Sequence, residues 1–147
     1  MFVLFLWLAG CSLGSTNPAE EIPEGPCPPP GPGLAMNGAG GLTDAVTTPA
    51  TLFLEGARGG DILILRASGS LYSYTNYFVF GLQPSSMPSS VNTILISQPE
   101  AGAKEAVLCR LRFAEAIWLA GGDQMDYLVR WPGELHAGLK DFVERGG

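Results

Sequence analysis

The sequence predicts an α/β protein, a parallel sheet held between two layers of helices. Three observations carry this reading. From Gly33 onward, short apolar runs alternate with segments of helical periodicity, the pattern of successive βαβ units. The run Ile62-Leu63-Ile64-Leu65 has no polar alternation, as expected of a strand covered by helices on both faces. Ala116-Ile117-Trp118-Leu119-Ala120 has the same character.

The elements follow in order. Residues Gly33 to Asn37 form a first strand candidate, closed by the glycine turn Asn37-Gly38-Ala39-Gly40-Gly41. Thr48 is placed to cap a helix with Pro49 at its first position, where a missing N–H costs nothing, and the helix continues through Leu52 to Ala57. The strand Ile62 to Leu65 leads into the loop Ala67-Ser68-Gly69-Ser70, and Val91 to Ser97 is the next strand. Val107, Leu108, Leu111 and Ala114 then share one helix face, with Lys104, Arg110, Arg112 and Glu115 mainly on the other. After Ala116 to Ala120 come Gly121, Gly122, Asp123 and Gln124, with Asp123 and Gln124 opening a helix. Leu135, Leu139, Phe142 and Val143 stripe the last helix, which Gly146 caps. A strand followed by a helix ending at Gly146 predicts another buried strand directly after the last residue.

The segment before Gly33 is of a different kind. Residues 1–10 are uncharged and almost wholly apolar, too short for a membrane span but suited to an export signal. Leu8-Ala9-Gly10-Cys11 resembles the bacterial lipoprotein box, which implies lipidation at Cys11 and a membrane anchor, with an ordinary signal peptide and an incidental cysteine as the other reading. From Cys11 to Pro32 the chain is rich in Pro, Gly and Glu and reads as an unfolded tether. The expected location is therefore the bacterial periplasm or cell surface. Cys27 and Cys109 could pair in an oxidising compartment, which spacing alone does not establish; the favoured reading is no disulfide, with Cys109 a small buried hydrophobe.

Composition excludes several functions. The chain of 147 residues carries 8 Lys+Arg against 14 Asp+Glu, a net charge of −6, with no basic stripe to neutralise phosphates. No nucleic-acid partner is expected. The single histidine and the absence of Cys/His ligand spacing argue against a metal. The glycine turn at Gly38 to Gly41 has Thr43 where a dinucleotide fingerprint needs its third glycine, and no acidic residue ends the second strand. No cofactor is expected.

Chemistry in an open parallel sheet sits beyond the carboxyl ends of the strands. The fourth loop is the most informative, because two glycines leave backbone N–H groups able to face a substrate oxygen. A glycine turn followed by an Asp cap fits the local sequence equally well. The aromatic stretch Tyr72, Tyr74, Tyr77, Phe78 and Phe80 fits core packing, with a peptide-cleft wall as the other reading.

Asp61 to Ser70, then Tyr74, Asn76 and Tyr77, then Arg112 to Gln124 resemble the cyanophycinase and cyanophycinase-like serine peptidases in order and spacing. The similarity runs from about Gly33 to Gly147. It implies the N-terminal half of a class I glutamine-amidotransferase-like, flavodoxin-like sandwich that hydrolyses a peptide or isopeptide bond through an acyl-enzyme. By that resemblance Gly121, Gly122, Asp123 and Gln124 form the oxyanion and substrate-positioning loop, while Gly40, Gly41, Ser68 and Gly69 line the cleft. The catalytic serine would follow the next strand, beyond Gly147, and its histidine and acidic partner later still. The chain alone is accordingly expected to be inactive. His136, on an amphipathic helix, reads as a surface residue. The competing expectation is a non-catalytic surface lipoprotein that uses the same fold to bind; a glutamine amidotransferase relative would need a cysteine at the same turn.

Overall fold

The computed structural model of the protein describes residues 35–38, 47–82 and 87–147. The signal segment, Cys11, the tether, Gly40 and Gly41 lie outside the described residues. Four strands form one sheet: β1 (Ala35–Gly38), β2 (Asp61–Arg66), β3 (Ser90–Leu95) and β4 (Ala116–Leu119). Every pairing is parallel, in the order β1-β4-β2-β3. Ile62 stands opposite Ala116 and Ile64 opposite Trp118, so the two apolar runs noted in the sequence are neighbours at the centre of the sheet.

Side chains alternate across a strand, and each face of the sheet has its own core. On one face Ile62, Ile64, Ala116 and Trp118 pack with Phe53 and Leu54 of α1 (Thr47–Ala57). Tyr74 of α2 (Ser73–Asn76) and Phe78 of the π-helical turn Tyr77–Gly81 complete that layer. Trp118 meets Phe53 and Phe78 edge-on, both at 5.1 Å, the geometry favoured by the ring quadrupoles. On the other face Leu63, Leu65, Ile94, Ile96 and Ile117 pack with Val107 and Leu111 of α4 (Glu105–Phe113) and with Leu135 and Phe142 of α6 (Gly133–Glu144). Each fully buried aliphatic of this kind contributes roughly 1.5–3 kcal/mol.

The path of the chain explains which helix takes which face. From β1 to β2 to β3 the chain moves in one direction across the sheet, through α1 and α2 on the first face. It then returns from β3 to β4, through α3 (Pro99–Gly102) and α4, on the second. Parallel crossovers keep one hand, so reversing direction requires changing face. The short helix α5 (Gln124–Arg130) and α6 continue on the second face.

Four local expectations need correction. Helix α1 begins at Thr47, before the proposed Thr48 cap, which puts Pro49 inside the first turn; the first four N–H groups of a helix have no intrahelical partner, so proline is tolerated there. Glu115 is not on the outer face of α4. It follows the helix and is only 2% exposed, accepting a hydrogen bond from Asp61 N–H while its own N–H donates to Asp61 O at 3.0 Å. Gly60 makes this possible, since a Cβ there would come within 2.7 Å of Glu115 Cβ. Val143 is half exposed and lies off the buried stripe of α6, which consists of Leu135 and Phe142 with Leu139 packed against them. Lastly, Cys109 is disulfide-bonded and half-buried rather than a free core thiol. Gly146 closes α6 as expected, with φ +99° and its N–H on Val143 O.

Candidate functional site

The reversal of direction between β2 and β4 makes a topological switch point, where a crevice is expected in an open parallel sheet. The segment after β2 turns toward the α1–α2 layer and the segment after β4 toward the α4–α6 layer, and the two are bridged above the sheet centre by Tyr74 and Tyr127. Such a switch point is where open parallel sheets bind ligands.

The first wall starts from Arg66, the last residue of β2. Its guanidinium lies over the ring of Tyr74, 5.0 Å from the centroid, and donates from Nη1 to Ser73 Oγ at 2.8 Å and to Ser70 O. The loop Ala67 to Ser70 is thereby folded around the arginine. Gly69 carries φ +97°, and any Cβ at that position would strike Nη2. Ser68 and Gly69 are exposed at the top of the loop. Arg66 Nε is buried and has no hydrogen-bond partner among the described residues.

The second wall is the loop after β4. Ala120 N–H still donates to Leu65 O at 3.0 Å, extending the ladder, and the chain then turns at Gly121 and Gly122. Two tyrosines hold this turn. Tyr74, buried under α2, accepts from Gly121 N–H at 3.2 Å, and Tyr127 of α5 donates to Ala120 O. Tyr127 is half-buried against Trp131, their centroids 4.5 Å apart. Burial raises its hydroxyl above the usual tyrosine value, while the Ala67 backbone N–H and the charge of Arg66 pull the other way. Those influences reach it from the β2 wall. Gly122 lies close beneath this ring, where a Cβ would be 3.3 Å from Tyr127 Cε2.

Asp123 caps α5, its Oδ1 accepting from Met125 N–H at 2.9 Å. With Gly121 N–H taken by Tyr74, the N–H groups of Gly122 and Asp123 have no partner among the described residues, and both residues are exposed. Gln124 is exposed at the first position of α5. This arrangement offers hydrogen-bond donors to an oxygen atom. Because α5 has only seven residues, the donors that matter belong to the loop rather than to a helix dipole.

The structure thus brings Ser68 and Gly69 onto one wall and Gly121 to Gln124 onto the other. The role of Arg66, Tyr74 and Tyr127 in building those walls was not evident from the sequence. Arg66 falls within the Asp61–Ser70 stretch of the resemblance without a role of its own there, and Tyr127 lies one helical turn after Asp123. His136 lies elsewhere: exposed on α6, its Nε2 sits 3.1 Å from Tyr127 O. No serine hydroxyl is among its partners. Among the described residues there is no group of three or more His, Cys, Asp or Glu side chains suited to a metal, and no helix long and apolar enough to cross a membrane. A groove of about 640 Å³ between α4 and α6, lined by Leu108, Arg112, Gly138 and Asp141, lies on the outside of the helix layer.

Comparison with protein-family models, with curated proteins and with solved structures gives no match. What the fold defines is an α/β protein with a parallel sheet, helices on both faces and a switch point between β2 and β4.

Proposed function

We propose that this chain is the N-terminal portion of an exported serine-type peptidase resembling cyanophycinase, in a flavodoxin-like, class I glutamine-amidotransferase-like sandwich. The observation that carries the reading is the pair of unpartnered N–H groups at Gly122 and Asp123, held over the switch point by Tyr74 and Tyr127. In an acyl transfer the carbonyl oxygen of the scissile peptide or isopeptide bond gathers negative charge as the nucleophile adds. Preformed donors at that position stabilise the transition state more than the ground state. Gln124 and the Ser68–Gly69 loop would border the bound substrate.

The nucleophile is proposed to lie beyond Gly147. The order of the sheet supports this, because β1 is its edge strand among the described residues and the α5–α6 segment runs on the face used for travel toward that edge. A strand added beside β1 would bring its carboxyl end toward the loop after β4. The disulfide at Cys109 supports an oxidising, exported setting, and lipidation of Cys11 would tether the protein to a membrane.

The test is to translate the coding sequence beyond Gly147 and assay both products on a synthetic aspartate-rich peptide. The proposal requires a serine turn after the next strand, hydrolysis by the extended protein and none by residues 1–147. A stop codon directly after Gly147 leaves the alternative, a lipoprotein that binds without turnover.

A further inference from the structure

We propose that Arg66 and the loop Ser68 to Ser70 form a binding site for a carboxylate carried by a ligand. Arg66 is the last residue of β2, an interior strand of the sheet, and it stands at the switch point. Its guanidinium has no carboxylate partner among the described residues, where the ion pairs join Arg112 to Glu105, Arg130 to Asp126 and Lys140 to Glu144. A guanidinium keeps its charge at any ordinary pH. Partial burial of Arg66 makes that charge costly unless an anion answers it.

The hydrogen bonds of this side chain are divided unevenly. Nη1 donates to Ser73 Oγ at 2.8 Å and to Ser70 O, and one face of the group lies over Tyr74, 5.0 Å from the ring centroid. These contacts fix the plane of the guanidinium. The other edge of the fork, Nε and Nη2, has no acceptor among the described residues. Nε is buried and Nη2 is not, so Nη2 is the donor that a ligand meets. Gly69 holds the loop against it, with φ +97° and no room for a Cβ beside Nη2. The N–H groups of Ser68, Gly69 and Ser70 also donate to nothing among the described residues, and all three residues are exposed. Successive N–H groups around a residue of positive φ are a common receptor for anions.

Charge selects the class of anion. Across the switch point the segment after β4 contributes Asp123 and Asp126, the latter paired with Arg130 at 3.0 Å, and the chain as a whole carries −6. One positive charge in that setting balances one carboxylate and leaves the second charge of a phosphate dianion unanswered. The bond to a carboxylate is charge-assisted, roughly twice as strong as the bond to a neutral amide oxygen. The site lies on the β2 wall, apart from the N–H groups of Gly122 and Asp123, and it does not depend on the peptidase reading.

NMR titration of residues 1–147 with N-acetylglycine at low salt tests it, following the amides of Ser68, Gly69 and Ser70 and the Nε–H of Arg66. The expected result is saturable shifts at these groups. N-acetylglycinamide, which has the same shape without the charge, and inorganic phosphate should each bind there at least about tenfold more weakly. Arg66→Met should abolish the shifts. The comparison of the carboxylate with its amide is made on the wild-type chain, so it holds even where Arg66→Met fails to fold. No saturable shift at Ser68 to Ser70, equal binding of the amide, phosphate binding as tight as the carboxylate, or undiminished binding by folded Arg66→Met would overturn the proposal.

Discussion

The hydroxyl of Tyr74 accepts the N–H of Gly121 at 3.2 Å, linking the helix layer on one face of the sheet to the glycine turn that follows β4. Since Tyr74 also lies beneath the guanidinium of Arg66, one buried ring connects both walls of the crevice. Replacing it by phenylalanine keeps the ring and removes the acceptor. Tyr74→Phe is expected to lose about 1–2 kcal/mol in urea unfolding, the usual penalty for leaving a part-buried donor unpaired. Amide exchange at Gly121 should quicken at the same time.

Glu115 predicts a dependence on pH. Burial raises its carboxyl above the usual 4.5, with the nearby charge of Asp61 adding to the rise and the bond from Asp61 N–H opposing it. The folded state therefore holds this proton more tightly than the unfolded state. Its contribution is fully present below about 4.5 and is lost as pH rises through the folded value. Glu115→Gln keeps an acceptor for Asp61 N–H and cannot ionise. Urea midpoints measured from acid to neutral pH should show the variant gaining on the wild type as pH rises.

Gly69 is required by both its backbone and its neighbour. Its φ of +97° disfavours any side chain, and a Cβ would collide with Arg66 Nη2. Gly69→Ala is expected to destabilise by about 1–3 kcal/mol. Gly133 offers a comparison, since nothing lies within 4 Å of a Cβ built there and its φ is not positive. Gly133→Ala should be neutral or slightly stabilising in the same thermal melts.

The donor role of Asp123 can be separated from its capping role. Its φ of −73° already suits proline, so Asp123→Pro removes the N–H without forcing the backbone. Asp123→Ala removes only the cap to Met125 N–H. On the proposed peptidase reading, Asp123→Pro should reduce kcat by about a hundredfold or more relative to Asp123→Ala. Equal rates would remove Asp123 N–H from the mechanism.

His136 should tolerate loss. It is exposed, its ring 6.5 Å from that of Trp131 and its Nε2 on a backbone oxygen. His136→Ala is expected to change stability by less than about 0.5 kcal/mol.

The sheet was legible because uninterrupted apolar runs such as Ile62 to Leu65 have few alternatives to a strand covered on both faces. The glycine turn after β4 was legible for a similar reason, since Gly121 and Gly122 directly follow such a run. The neighbours of each strand were not. That β4 inserts between β1 and β2 depends on contacts distant in sequence, and the crevice exists only because of that insertion. Arg66, Tyr74 and Tyr127 come from β2, α2 and α5, and no local spacing relates them. The disulfide at Cys109 is not legible in the sequence, because an amphipathic pattern gives a cysteine's face but not its partner.

The most direct test of the crevice is an amide-resolved NMR titration of residues 1–147 with a synthetic aspartate-rich peptide. The account predicts that the peptide stays intact and that the largest shifts fall on Gly122 and Asp123, with smaller ones on Ser68 and Gly69. Shifts confined to the α4–α6 groove around Leu108 and Gly138, or cleavage of the peptide by this chain, would contradict it.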